Sequence, residues 1–132
     1  MSFQFRLASV AQVRKSVRDE KRISLKEILT READLSTEMA SLQLRWETLR
    51  DQKEALFQKN ILPIQSLQQL HQCEQKLLEK INQIQKQLEE IHQFAEEKRK
   101  ALVAADQNVK TLEKLEEKQR ACYLQKIRRK AG

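Results

Sequence analysis

The chain has 132 residues, a formal net charge of +7, 34% charged residues, 5% aromatic residues and a single glycine, Gly132. That length allows one domain, and the near-absence of glycine argues against strands and frequent turns. An all-α chain of few elements buries only a stripe on each helix and has no thick core, which excludes a deep ligand pocket and disfavours an enzyme.

Residues 3–7 read Phe-Gln-Phe-Arg-Leu, with apolar and polar residues alternating, as a short arm ahead of a helix. Phe3 and Phe5 either fold back on the helices or anchor a partner. Ser9 is the expected N-cap, and Val10, Val13 and Val17 follow at helical spacing. The stretch from Arg14 to Arg22 is strongly basic, with Lys21 where an apolar seam residue is expected.

From Leu25 the pattern tightens. Ile28, Leu35, Leu42, Leu49 and Leu56 recur every seven residues, with Glu32, Met39, Trp46 and Lys53 between them. Trp46 is read as seam packing. The first helix spans about 9–59, on the order of 75 Å at 1.5 Å per residue. A turn at 60–63 follows, with Asn60 suited to a left-handed C-cap and Pro63, the only proline, suited to the first turn of the next helix. Phe57, Ile61, Leu62 and Ile64 give that turn an apolar tip.

The second helix is expected over about 64–128. Leu77, Ile81, Ile84, Leu88, Ile91, Ala95, Lys98, Leu102, Ala105, Val109 and Leu112 alternate by three and four. A repeat averaging 3.5 stays on one face only if the helix supercoils around a partner. Folding the chain at Pro63 matches the two strips with residue numbers that sum to 123: 42 with 81, 39 with 84, 35 with 88. Glu74 against Leu49 and Glu32 against Ile91 are the imperfect pairs. The reading is therefore a long two-helix antiparallel coiled-coil hairpin, all-α, as one domain over 1–132; the alternative is that each strip pairs with another copy of the chain. Past Leu112 the apolar positions shift to Leu115, Cys122, Tyr123 and Ile127, a phase slip, and the tail Lys126, Arg128, Arg129, Lys130 is expected to fray.

Charge is uneven. Residues 1–22 hold six basic and two acidic side chains, residues 106–132 eight and four, so each is +4 and the middle is −1. A hairpin brings both basic segments to one end, a pole that attracts an acidic protein, an acidic membrane or nucleic acid. Nucleic acid is disfavoured, because aromatic residues are not interleaved with the basic ones and acidic residues dilute them. Cys73 and Cys122 fall at opposite ends of such a hairpin and cannot bridge, which fits a reducing compartment. No leader-like apolar segment or run of about 18 apolar residues is present, so neither a signal peptide nor a membrane span is expected. His71 and His92 stand apart, no Cys, His or carboxylate cluster has metal-ligand spacing, and no nucleophile has a base near it. No catalytic residue, metal, cofactor or small-molecule substrate is assigned.

Particular segments resemble a known family. The opening Phe-Gln-Phe-Arg-Leu, the following Val10-Ala11-Gln12-Val13-Arg14-Lys15, then Glu97-Lys98-Arg99-Lys100-Ala101-Leu102 and Lys110-Thr111-Leu112-Glu113-Lys114-Leu115-Glu116-Glu117-Lys118 look like FliJ, the small soluble coiled-coil protein of the bacterial flagellar type III export apparatus. The similarity covers about residues 3–125. It implies an antiparallel coiled coil similar to the central stalk of rotary ATPases. By the same resemblance, the partners are the hexameric flagellar export ATPase, whose ring receives the end carrying both termini, the cytoplasmic domain of the export-gate membrane protein, and export chaperones. The implied location is cytoplasmic, peripheral to the inner membrane at the flagellar base. On this chain the expected ring contacts are Arg14, Arg18, Lys21, Arg22, Lys114, Lys118 and Arg120. The family's gate-binding face, at i, i+4, i+7 and i+11 early in the second helix, falls on Cys73, Leu77, Lys80 and Ile84, with Ile81 standing in for the charged Lys80. Its first-helix counterpart falls near Glu38, Leu42, Arg45 and Leu49. Leu42, Leu77, Ile81 and Ile84 also carry the seam, so they have a structural reading beside the functional one. Competing readings are the equivalent stalk of a virulence type III system, a basic nucleic-acid-binding coiled coil, and a self-associating structural coiled coil.

Overall fold

The structure, a computed structural model, describes residues 3–59 and 64–131. It contains two helices, α1 (Ala8–Gln58) and α2 (Ile64–Ala131), in contact as an antiparallel helical hairpin. The expected turn at 60–63, with Asn60, Ile61, Leu62 and Pro63, lies outside the described residues. Phe57 and Ile64, on its two sides, are exposed. Helix α1 begins one residue before Ser9, so Ser9 is not its N-cap; instead the Ala8 amide donates to the Phe5 carbonyl at 3.1 Å and the Ala11 amide to the Leu7 carbonyl at 2.9 Å. The first of these bonds satisfies one of the amides that has no partner within the helix, and the second is the first i→i−4 bond of the helix itself. Helix α2 keeps its form through the tail that was expected to fray, ending at Ala131, with Arg128, Arg129 and Lys130 in its last turn. Cations there complement the partial negative charge of a helix C-terminus.

The chain divides into two compact units, one of residues 28–94 and one of residues 1–27 with 95–132. In the first, every position of the 3-4 strips is shielded: Ile28, Glu32, Leu35, Met39, Leu42, Trp46, Leu49, Lys53 and Leu56 on α1, and Leu67, Leu70, Glu74, Leu77, Ile81, Ile84, Leu88 and Ile91 on α2. Leu42, Leu77 and Ile84 are buried, with Leu35, Met39, Trp46, Leu49, Ile81 and Leu88 packed around them. Trp46 is therefore a seam residue. Two of the charged seam positions compensate each other: Lys53 Nζ lies 3.6 Å from a Glu74 carboxylate oxygen. Glu32 meets His92 Nδ1 at 3.6 Å. In this unit each of these seam charges so finds a partner at the seam's edge, where water still reaches it and desolvation is limited.

In the other unit α2 supplies the buried residues: Ala95, Ala105, Val109 and Leu112. Val109 is 2% exposed. The facing strip of α1 keeps the same alternation but changes its chemistry: Ala11, Arg14, Arg18, Lys21 and Leu25 are half-buried, and Val10, Val13 and Val17 are exposed. Continuing the pairing sum of 123 sets Arg14 opposite Val109, Arg18 opposite Ala105 and Lys21 opposite Leu102. Long basic side chains cover apolar surface with their methylene stems while their heads reach water, and small partners leave room for those stems. The seam thus does not stop at the basic stretch; it runs through it. Beyond Leu112 the phase slip does not occur as expected. Glu116 holds the 3-4 position half-buried, and Leu115, Cys122 and Ile127 stay exposed. Of the shifted set only Tyr123 is shielded, by an aromatic contact described below.

Because Arg14 is half-buried at a position of the 3-4 strip, Arg14→Leu is expected to raise stability by about 1 kcal/mol, the gain from half-burying an aliphatic side chain where a cation now sits. Thermal unfolding followed by circular dichroism checks this; an unchanged or lower midpoint would place Arg14 off the seam.

Candidate functional site

Two surfaces gather the expected functional residues. The first belongs to the unit formed by residues 1–27 and 95–132. That unit carries 18 basic and 9 acidic side chains, a charge of +9, whereas residues 28–94 carry 8 and 10, a charge of −2. Charge of one sign concentrated in one compact unit raises the local concentration of an oppositely charged partner. Of the seven expected ring contacts, Arg22, Lys114, Lys118 and Arg120 are exposed, whereas Arg14, Arg18 and Lys21 are half-buried in the seam. Arg18 is further committed: its Nε lies 3.3 Å from Asp19 Oδ1, which Arg22 also approaches at 3.8 Å.

The N-terminal arm folds onto α2. The Phe3 ring lies 5.6 Å from the Tyr123 ring at 45°, and the Arg120 guanidinium sits 5.4 Å from the Phe3 centroid. Phe5 is buried. Of the two readings of these phenylalanines, folding back is the one the structure adopts. Arg120 also reaches Glu116 Oε1 at 3.5 Å, an i,i+4 pair. Cation–ring contact and ion pair together hold its head over the arm.

The second surface lies in the unit of residues 28–94. A groove of about 490 Å³ is lined by Leu44, Arg45, Thr48, Leu49, Gln52, Cys73, Lys76, Leu77 and Lys80. Beside it a second, of about 380 Å³, is lined by Glu38, Ser41, Leu42, Arg45, Lys80, Gln83, Ile84 and Gln87. Of the expected gate contacts, Leu42, Leu77 and Ile84 are buried and Ile81 is half-buried, all in the core cluster, while Cys73 is exposed. Leu77 forms part of the wall of the first groove, and Leu42 and Ile84 part of the second. Sequence reasoning missed Leu44, which is 64% exposed, and Lys76. Leu44 stands two residues past a seam position, where a helix turns outward, and that offset was its only signal.

Among the described residues, no group of three or more His, Cys, Asp or Glu side chains could hold a metal ion, and both cysteines are free and exposed. Among the described residues, no helix is long and apolar enough to cross a membrane.

No curated protein and no solved structure matches the chain significantly. The family described as "Flagellar FliJ protein" matches over residues 3–130, nearly the whole length. With its two-helix hairpin and its basic unit joining the N- and C-terminal segments, the chain belongs to the FliJ family.

Proposed function

We propose that this protein is a stalk and adaptor of the flagellar type III export apparatus: it binds the export ATPase ring through its basic unit, contacts the export gate through the grooved unit, and assists delivery of chaperone–substrate complexes. Membership of the FliJ family carries the coarser part of this statement, a role in flagellar export and motility within a helical, non-enzymatic family. The observation that supports the finer part is the separation of charge, +9 in one unit against −2 in the other. A protein that engages two partners through distinct regions is served by surfaces of distinct chemistry.

For the ring, Arg22, Lys114, Lys118 and Arg120 are the exposed cations, and Arg14, Arg18 and Lys21 contribute from the seam edge. For the gate, Cys73 borders the apolar groove whose walls include Leu77, with Leu42, Ile81 and Ile84 supporting it from the seam. Peripheral association with the inner membrane at the flagellar base then follows from the gate contact.

The test is a pulldown of the cognate export ATPase, with hydrolysis assayed against increasing amounts of the full chain. Saturable stimulation at well below one copy per ATPase monomer is expected, since one stalk serves a whole ring. Absence of binding at low salt would remove the stalk reading and leave a chaperone adaptor. A binding curve that instead collapses steeply with salt on single-stranded nucleic acid would support the nucleic-acid reading.

A further inference from the structure

The first turns of α1 are amphipathic the opposite way round from the rest of the hairpin. Ala11, Arg14, Arg18 and Lys21 face the seam and are half-buried, while Val10, Val13 and Val17 are 40%, 62% and 40% exposed. At 3.6 residues per turn the three valines lie within about 60° of one another around the helix axis, along about 10 Å of it. Single exposed apolar residues are ordinary. Three β-branched residues in line are different, because the chain offered an alternative. A stripe one residue earlier would bury the valines against Val109 and Leu112 and release the cations to water. The fold keeps the valines outside.

Charge beside the stripe indicates what covers it. Arg14 and Lys21 lie about 20–40° from Val10 around the axis, on the seam side. Neither forms an ion pair among the described residues, whereas Arg18 and Arg22 share Asp19. An uncompensated pair of cations edging an apolar strip is complementary to a shallow apolar surface edged by carboxylates. Valine offers no ring on which a nucleobase could stack, which turns the match away from nucleic acid.

We propose that Val10, Val13 and Val17 form the apolar anchor of a protein-docking face, its partner an apolar depression rimmed by Asp or Glu. Resting on the reading given under Proposed function, that partner is a subunit of the export ATPase ring. The basic residues steer the approach and the valines hold the complex, so the two groups separate in experiment: cations govern salt dependence and association rate, valines govern dissociation.

Full-length wild type, Val13→Asp, Val13→Leu and Val103→Asp are compared for binding to the purified cognate ATPase by surface plasmon resonance, with helicity and melting recorded for each. Val103 is 57% exposed on α2 of the same unit and controls for the added charge. Val13→Asp is expected to weaken binding about tenfold or more, mostly through faster dissociation, with Val13→Leu and Val103→Asp within about twofold of wild type. Binding of Val13→Asp within about twofold of wild type overturns the valine anchor alone, as does an equal loss in Val103→Asp, which would make bulk charge the cause. If the wild-type chain does not bind the ATPase, the stalk reading falls and this face falls with it.

Discussion

Leu42→Ala is expected to cost about 2–4 kcal/mol of stability, while Leu44→Ala, two residues on, is expected to change it by less than about 0.5 kcal/mol. Leu42 is 5% exposed and sits with Leu77 and Ile84 at the centre of the core cluster. A two-helix hairpin has no second layer to collapse into the space, so the cavity opens toward solvent and the loss falls within the usual range for a buried leucine rather than beyond it. Leu44 is 64% exposed and gives up little. Urea unfolding of the two variants reads the difference. Equal losses would mean that the helix is rotated from the seam described. The same pair probes function, because Leu44 lines the groove next to Cys73 and Leu42 supports the neighbouring one. A Leu44→Ala chain that folds as wild type and loses gate binding would assign the groove directly.

Reversing two exposed cations, Lys114→Glu with Lys118→Glu, is expected to abolish stimulation of the export ATPase, a loss of tenfold or more in the concentration dependence, with helicity unchanged. The double change lowers the charge of its unit from +9 to +5. Steered association falls steeply with such a change, and the loss should shrink as salt screens the field. Lys114 and Lys118 are the appropriate choice because both are exposed. Reversing Arg14 or Arg18 would place a carboxylate in a half-buried seam position, and a loss of stimulation would then report disturbed helix pairing as readily as a lost contact. Stimulation equal to wild type in the double variant would move the ring contact away from α2 and leave the N-terminal face of α1 to carry it.

Much of this molecule is legible without coordinates. The 3-4 alternation from Leu77 to Leu112 and its mirror from Ile28 to Leu56 determine two long helices and their pairing as a hairpin. A period of 3.5 has one geometric meaning, and two strips that match step for step allow few alternatives. The charge asymmetry is likewise a property of composition along the chain. Tertiary structure alone decided what happens where the apolar pattern gives out. Val10, Val13 and Val17 are the apolar residues at helical spacing in this stretch, yet Ala11, Arg14, Arg18 and Lys21 are the ones half-buried, in step with the alternation that runs on from Leu25. A helix cannot rotate locally without breaking its backbone hydrogen bonds, so the stronger downstream seam dictates the facing of the weaker upstream one. The same rigidity holds Glu116 in phase and leaves Leu115 outside it, and lets Phe3 find Tyr123 and Arg120 from the far end of the sequence. Local sequence pattern sets which residues are able to form a seam; the continuity of the helix sets which of them do.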